Sequence, residues 1–250
     1  MLPMKSVADL KIKIFADGAD VAGMLEMYRN PLIRGFTTNP TLMRKAGVRN
    51  YEAFARQILK AIPDRPISLE VLADDFAEMG KQARVIASWA SNVFVKIPIT
   101  NTRGESAVGI IERLSHEGIQ LNVTALLTLD QVRKVAAALA GGAAASVSIF
   151  AGRIADTGLD PVPVMAEAVE ILRSTPQIEL IWASPRELLN VFQADAVGCH
   201  IITATNDILK KLPLVGKDLT QFSLETVEMF YNDAVASGFE IETAKTETSV

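Results

Sequence analysis

Residues 92–100, Asn92-Val-Phe-Val-Lys-Ile-Pro-Ile-Thr100, form an apolar, β-branched run with a single lysine in its middle. A run of this kind reads as a strand buried on both faces, and such strands belong to parallel sheets. An ammonium there is costly to desolvate unless it is paired or gives up its proton. Lys96 is therefore either a nucleophilic amine able to form a Schiff base with a carbonyl, or a side chain at the strand's exposed end that keeps its head in water. The segments on either side, 75–90 and 104–116, carry apolar residues at three- and four-residue spacing and predict amphipathic helices.

The same alternation extends outward over almost the whole chain. Short apolar runs at 12–16, 35–38, 67–71, 93–97, 119–123, 145–149, 178–182 and 200–203 predict eight strands. Further helical patterns lie at 51–61, 129–140, 163–174 and 185–193. Alternating strand and helix imply right-handed parallel crossovers, and eight units in 250 residues imply a closed (β/α)8 barrel. An open doubly wound sheet is disfavoured because no G-x-G-x-x-G turn follows the first strand. The expected organisation is one domain over residues 1–250: a barrel at about 11–218, an extra amphipathic helix at about 219–237 with Ser223 as its N-cap, and a frayed tail at 238–250. The small-residue stretch 136–145, with Gly141-Gly142 inside it, reads as a helix end and not a linker.

Composition narrows the partners. The net charge of −4 and the absence of any Lys/Arg run argue against nucleic acid or a membrane surface, leaving a small molecule. Cys199 is the lone cysteine, which removes intrachain disulfides and suggests a reducing compartment. The first ten residues carry no signal-peptide core, and no stretch approaches an uncharged span of about 18 residues, so the expected location is the cytoplasm.

In barrels of this class the carboxyl ends of the strands face the active site. Polar residues collect there: Asp17, Thr38, Asn39, Glu70, Lys96, Asn122, Thr124, Ser148, Arg153, Ser184 and Arg186. Singly, each has a plain structural reading. Asp17-Gly18 suits a turn, Asn39-Pro40 a turn or helix start, Ser184-Pro185 a cap followed by a first-turn proline, and the arginines a solvated surface. Their recurrence at one end of the barrel favours a site. His116 and His200 fall at or near the opposite rim and read as structural or exposed.

Five motifs in order, Gly35-Phe-Thr-Thr-Asn-Pro-Thr41, Val95-Lys-Ile-Pro98, Asn122-Val-Thr124, Ser148-Ile-Phe-Ala-Gly-Arg-Ile154 and Ala183-Ser-Pro-Arg186, closely resemble the transaldolase family over roughly residues 11–237. The resemblance implies a class I barrel that works through a lysine Schiff base, with no metal and no cofactor. By position it implies Lys96 as the imine-forming amine and Asp17 as the group handling the C4 hydroxyl proton. Glu70 and Thr124 would hold a catalytic water. Asn39, Asn122 and Ser148 would orient sugar hydroxyls, with Thr38 and Phe150 beside them in the substrate site. Arg153, Ser184 and Arg186 would bind the terminal phosphate.

Glu70 and Phe150 resemble the transaldolase side of the family, since fructose-6-phosphate aldolases typically carry Gln and Tyr there. Phe15-Ala-Asp-Gly18 departs from the family's usual Asp-Thr or Asp-Ser and leaves Asp17 without an adjacent hydroxyl. The reading is transfer of a dihydroxyacetone unit between sugar phosphates, by a homo-oligomer of five or ten subunits as in short members of the family. The alternatives are an aldolase using free dihydroxyacetone and a non-catalytic sugar-phosphate-binding protein.

Overall fold

The computed structural model describes residues 6–241. Eight parallel strands, β1 Lys13–Asp17, β2 Ile33–Thr37, β3 Ile67–Glu70, β4 Val93–Pro98, β5 Leu121–Leu126, β6 Ala145–Ile149, β7 Ile178–Trp182 and β8 Ile201–Thr205, pair in sequence order, and β8 closes on β1. The expected (β/α)8 barrel is the observed one. Its helices are α1 Val21–Tyr28, α2 Pro40–Lys45, α3 Tyr51–Ala61, α4 Phe76–Ala87, α5 Val108–His116, α6 Leu129–Leu139, α7 Ala151–Ala155, α8 Pro161–Leu172, α9 Leu189–Ala196, α10 Asn206–Leu209 and α11 Leu219–Ser237. No described helix is long and apolar enough to cross a membrane.

Alternate strand residues, such as Val95 and Ile97 on β4, Leu121 and Val123 on β5 and Val147 and Ile149 on β6, are fully buried in the main apolar cluster between sheet and helices. Their neighbours of opposite parity, Lys96, Asn122, Thr124 and Ser148, line the barrel's interior cavity. Phe15, Ile181, Ala183 and Ile201 form a separate apolar cluster with Phe150 packed against it, and Ala183 and Phe150 also line the cavity. Gly35, paired with Phe15 across β1 and β2, makes room for that ring, because a Cβ at Gly35 would stand 2.5 Å from Phe15 Cζ.

Local chemistry corrects several element ends. Asp218, not Ser223, caps α11, its carboxylate accepting from the Gln221 amide, so Ser223 lies inside the helix. Ser184-Pro185 does not begin a helix. Ser184 has φ of 59°, the following turn is held by Asn190 Oδ1 accepting from the amides of Arg186 and Glu187, and α9 starts only at Leu189. Helix α5 starts at Val108, not at 104, because the preceding loop folds back on itself and Asp74 accepts from both the amide and hydroxyl of Thr102. The Gly141-Gly142 turn does end α6: Gly141 has φ of 74°, and a Cβ at Gly142 would collide with Ser115 Oγ. Helix α11 buries no residue, and Val227, Phe230 and Tyr231 stand 61%, 63% and 69% exposed. The expected frayed tail falls largely on 242–250, outside the described residues.

Candidate active site

A cavity of about 650 Å³ opens at the carboxyl ends of the strands. The sheet register sets its inner wall: Glu70 on β3 pairs with Lys96 on β4, and Lys96 pairs with Asn122 on β5. Lys96 points inward and is 6% exposed, so it is a buried cavity residue and not a side chain at an exposed strand end. Its Nζ donates to the Thr38 carbonyl at 2.8 Å and lies 3.1 Å from Glu70 Oε2. A buried ammonium is tolerable on these terms because a carbonyl and a carboxylate replace its water. Tyr51 in α3 donates to the Glu70 carbonyl at 2.8 Å, which ties down the end of β3.

Asn122 has no exposed surface, and its amide is oriented from both sides. Its Nδ2 donates to Ser68 Oγ at 3.0 Å, and its Oδ1 accepts from Ser148 at 2.7 Å, linking β3, β5 and β6 beneath the lysine. Thr124, one inward position above, has a buried hydroxyl with no hydrogen-bond partner among the described residues. The next residue, Ala125, takes φ of 64° at a register break in β5. A non-glycine residue held there stores backbone strain, which concentrates at functional sites.

Asp17 closes the opposite wall. Its Oδ1 accepts from the Thr37 hydroxyl at 2.8 Å, Thr37 in turn lies 2.6 Å from the Thr203 hydroxyl, and Asn39 Nδ2 is 3.5 Å from Asp17 Oδ2. Because Thr37 donates to the carboxylate, Thr203 must donate to Thr37, giving a directed chain across β8, β2 and β1. Burial pushes the Asp17 carboxyl above the usual carboxylate range, and the Lys96 charge and the Thr37 hydrogen bond pull the other way. The hydroxyl missing from position 18 is thus supplied from β2. Asn39 also caps α2, its Oδ1 accepting from the Leu42 amide.

The outer wall is cationic. Arg153 on α7 and Arg186 after β7 both line the cavity, beside Ser184 and Phe150. The Arg153 guanidinium lies 5.7 Å from the centre of the Phe150 ring. Arg186 Nε donates to Asp156 Oδ1 at 2.9 Å, and its Nη2 binds Asp156 Oδ2.

Of the twelve residues expected at the site, only Thr38 does not line the cavity. Its side chain is fully buried, with the hydroxyl donating to the Ser68 carbonyl, and it acts through its own carbonyl on Lys96. Thr37, one residue earlier, takes the inward place. Ser68, Thr37 and Thr203 are contributors that sequence reasoning did not single out. Ser68 stands two residues before Glu70, so strand parity was the signal that could have found it. His116 Nδ1 lies 2.9 Å from the Glu112 carbonyl, and His200 Nδ1 accepts from the Leu180 amide; neither reaches the cavity. Cys199 is buried, its thiol pushed up to about 12 by desolvation. Among the described residues, no group of three or more His, Cys, Asp or Glu is placed to hold a metal ion.

A barrel enclosing a buried lysine, two carboxylates and two arginines can condense with a carbonyl, move protons and hold an anion. The 2,3-dimethylmalate lyase structure aligns with a TM-score of 0.53 over 97% of this chain and 89% of its own, at 12% identity, which is a likeness of fold alone. Proteins named probable transaldolase are nearer. That of Dehalococcoides mccartyi is 36% identical over 84% of this chain and 96% of its own length, and that of Methanococcus maripaludis strain C7 is 38% identical over 84% and 95%. A probable transaldolase 2 of Listeria monocytogenes is 35% identical over 84% and 94%. The family profile for transaldolase/fructose-6-phosphate aldolase matches residues 14–248. The chain therefore belongs to the transaldolase/fructose-6-phosphate aldolase family.

Proposed function

We propose that this protein is a transaldolase, moving a dihydroxyacetone unit from a ketose phosphate such as fructose 6-phosphate or sedoheptulose 7-phosphate to an aldose phosphate, through an imine at Lys96. The observation that carries the reading is Lys96 itself: buried, inward, and 3.1 Å from a carboxylate able to take its proton. The free amine adds to the ketose C2 carbonyl, and loss of water gives a protonated imine. That cation is the electron sink. As the C3–C4 bond breaks, its electron pair flows to the imine to form an enamine, and the C4 hydroxyl proton passes to Asp17. The aldose leaves. The enamine then attacks the acceptor's aldehyde carbon, Asp17 returns the proton to the new alkoxide, and hydrolysis frees Lys96.

A carboxyl held above its usual range by burial suits a group that must both accept and return a proton. Glu70 and the unpartnered Thr124 hydroxyl are set to hold the water that dehydration expels and hydrolysis consumes. Arg153, Ser184 and Arg186 would hold the substrate phosphate, fixing the reacting carbons over the lysine. Glu70 and Phe150 favour transfer over plain aldol cleavage. The exposed apolar face of α11 supports assembly with further copies of the chain, and rings of five or ten are the form we propose.

Borohydride added with fructose 6-phosphate should inactivate the protein and leave a three-carbon adduct on Lys96, located by peptide mass spectrometry. Lys96→Met should lose turnover while keeping the folded circular-dichroism spectrum, and EDTA should leave the rate unchanged. An adduct on a different lysine, or inhibition by EDTA, would overturn the mechanism.

A further inference from the structure

Asp156 stands just after α7, as its C-terminal cap, where a carboxylate faces the negative end of the helix dipole and gains nothing from it. It is not among the residues that line the cavity, whereas Arg186 is. What it touches is the Nε and Nη2 edge of the Arg186 guanidinium, in the two-point geometry that fixes the plane of the group. A guanidinium has a second edge, formed by Nη1 and the other proton of Nη2. With the first edge taken by Asp156, this second edge is the one left for an anion.

Two further contacts anchor the arrangement. The Arg186 amide donates to Asn190 Oδ1 at 2.7 Å, holding the base of the side chain. Gly152 lets α7 come close, since a Cβ there would lie 3.2 Å from Arg186 Nε. The Asp156 carboxyl is held below the usual range by the Arg186 hydrogen bonds first and then by the charges of Arg186 and Arg153, so it stays ionised at neutral pH. Both partners are about half exposed, so the pair adds little to folding, and its geometric role can be separated from stability.

We propose that Asp156 is a positioning residue for anion binding: it aims the free edge of Arg186 into the cavity, and so sets affinity for the phosphate of the substrate without touching it. This rests on the reading of Arg186 as a phosphate ligand. Removing Asp156 has two opposed effects, since it deletes a negative charge near the phosphate but frees a long side chain to wander. Orientation wins here, because the charge is half exposed and screened while the lost constraint acts on every rotamer of Arg186.

Asp156→Asn keeps the shape but turns one acceptor into a donor facing Nη2. The expected result is that inorganic phosphate, measured as a competitive inhibitor and by calorimetric titration, binds roughly tenfold more weakly. The KM for fructose 6-phosphate should rise similarly while kcat stays within about twofold, kcat/KM for unphosphorylated fructose should not move, and Asp156→Glu should recover most of the loss. Unchanged or tighter phosphate binding in Asp156→Asn overturns the proposal, as does an equal loss on fructose. Arg186→Gln separates the layers. If it weakens phosphate and Asp156→Asn does not, only the positioning role falls. If Arg186→Gln leaves phosphate binding intact, the phosphate reading of Arg186 falls and takes the proposal with it.

Discussion

Gly152→Ala tests how the cationic wall is built. The added Cβ would stand 1.6 Å from the Ser184 carbonyl oxygen and 2.8 Å from its carbon, whereas real Cβ atoms do not come nearer than 3.0 Å. The β7 exit must therefore retreat by about 1.4 Å, from 1.6 to 3.0 Å. The obstacle is backbone, and Ser184 is already at φ of 59°, so little of the shift can be absorbed in place. Overpacking of this kind costs roughly 1–3 kcal/mol. At about 2–4 °C per kcal/mol for a chain of this size, Tm should fall by roughly 2–12 °C. Ser184 and Arg186 move with the retreating segment, and a misplacement of about 1 Å in a substrate-positioning group can cost roughly 100-fold. The assay is kcat/KM for fructose 6-phosphate against fructose, with a thermal melt of the same preparation. Gly109→Ala is the control, because nothing lies within 4 Å of its added Cβ. A Gly152→Ala protein with unchanged Tm and unchanged preference for the phosphorylated sugar would refute the close approach as the determinant of this wall.

Thr37→Val removes the hydrogen bond that lowers the Asp17 carboxyl, so the acid limb of kcat/KM should move to higher pH; a limb that stays put or moves down refutes the Thr37 to Asp17 link. The same burial fixes a sign for stability. A carboxyl raised in the folded state supports folding while protonated and loses that support as pH climbs from its unfolded value through its folded one, so Asp17→Asn should be more resistant to urea than the parent at neutral pH. Phe150→Tyr places a hydroxyl in the cavity that can steer water to the enamine, and should raise glyceraldehyde 3-phosphate release from fructose 6-phosphate without acceptor; parent cleavage equally fast with and without acceptor would make the protein an aldolase. Light scattering should give a mass well above the 27.0 kDa chain, and a stable monomer would remove the assembly role of α11.

The eight strands were legible because buried parallel strands are written as apolar runs, and Lys96, Glu70 and Asn122 stood out by interrupting them. What stayed hidden depended on parity or on distant contact. Thr37 and Thr38 are adjacent and identical, so the sequence could not say which faces inward; pairing of Thr37 with Asp17 across β1 and β2 decides it. Ser68 and Thr203 are small polar residues in apolar runs, unremarkable until the barrel closes them onto Asn122 and Thr37. Ser184-Pro185 carries the letters of a helix start, yet Ser184 takes a left-handed backbone where Gly152 of α7, about thirty residues earlier in the chain, packs against its carbonyl. The Asp156 and Arg186 pair spans the same gap and leaves no local trace.

Phe15, seated in the space left by Gly35 and packed on Ile181 and Ile201, has a consequence for traffic. Phe15 lines a separate hollow at the opposite rim, where Lys13 and Glu179 are ion-paired 2.7 Å apart, and that hollow shares no lining residue with the site cavity, so the barrel reads as a vessel and not a tunnel. Under the proposed chemistry, every molecule then shares one doorway. The departing aldose must clear it before the incoming one can descend to the enamine, and the two substrates take turns instead of meeting. Parallel lines in double-reciprocal plots would be the kinetic imprint of a covalent enamine that outlives the first aldose in a barrel with one doorway.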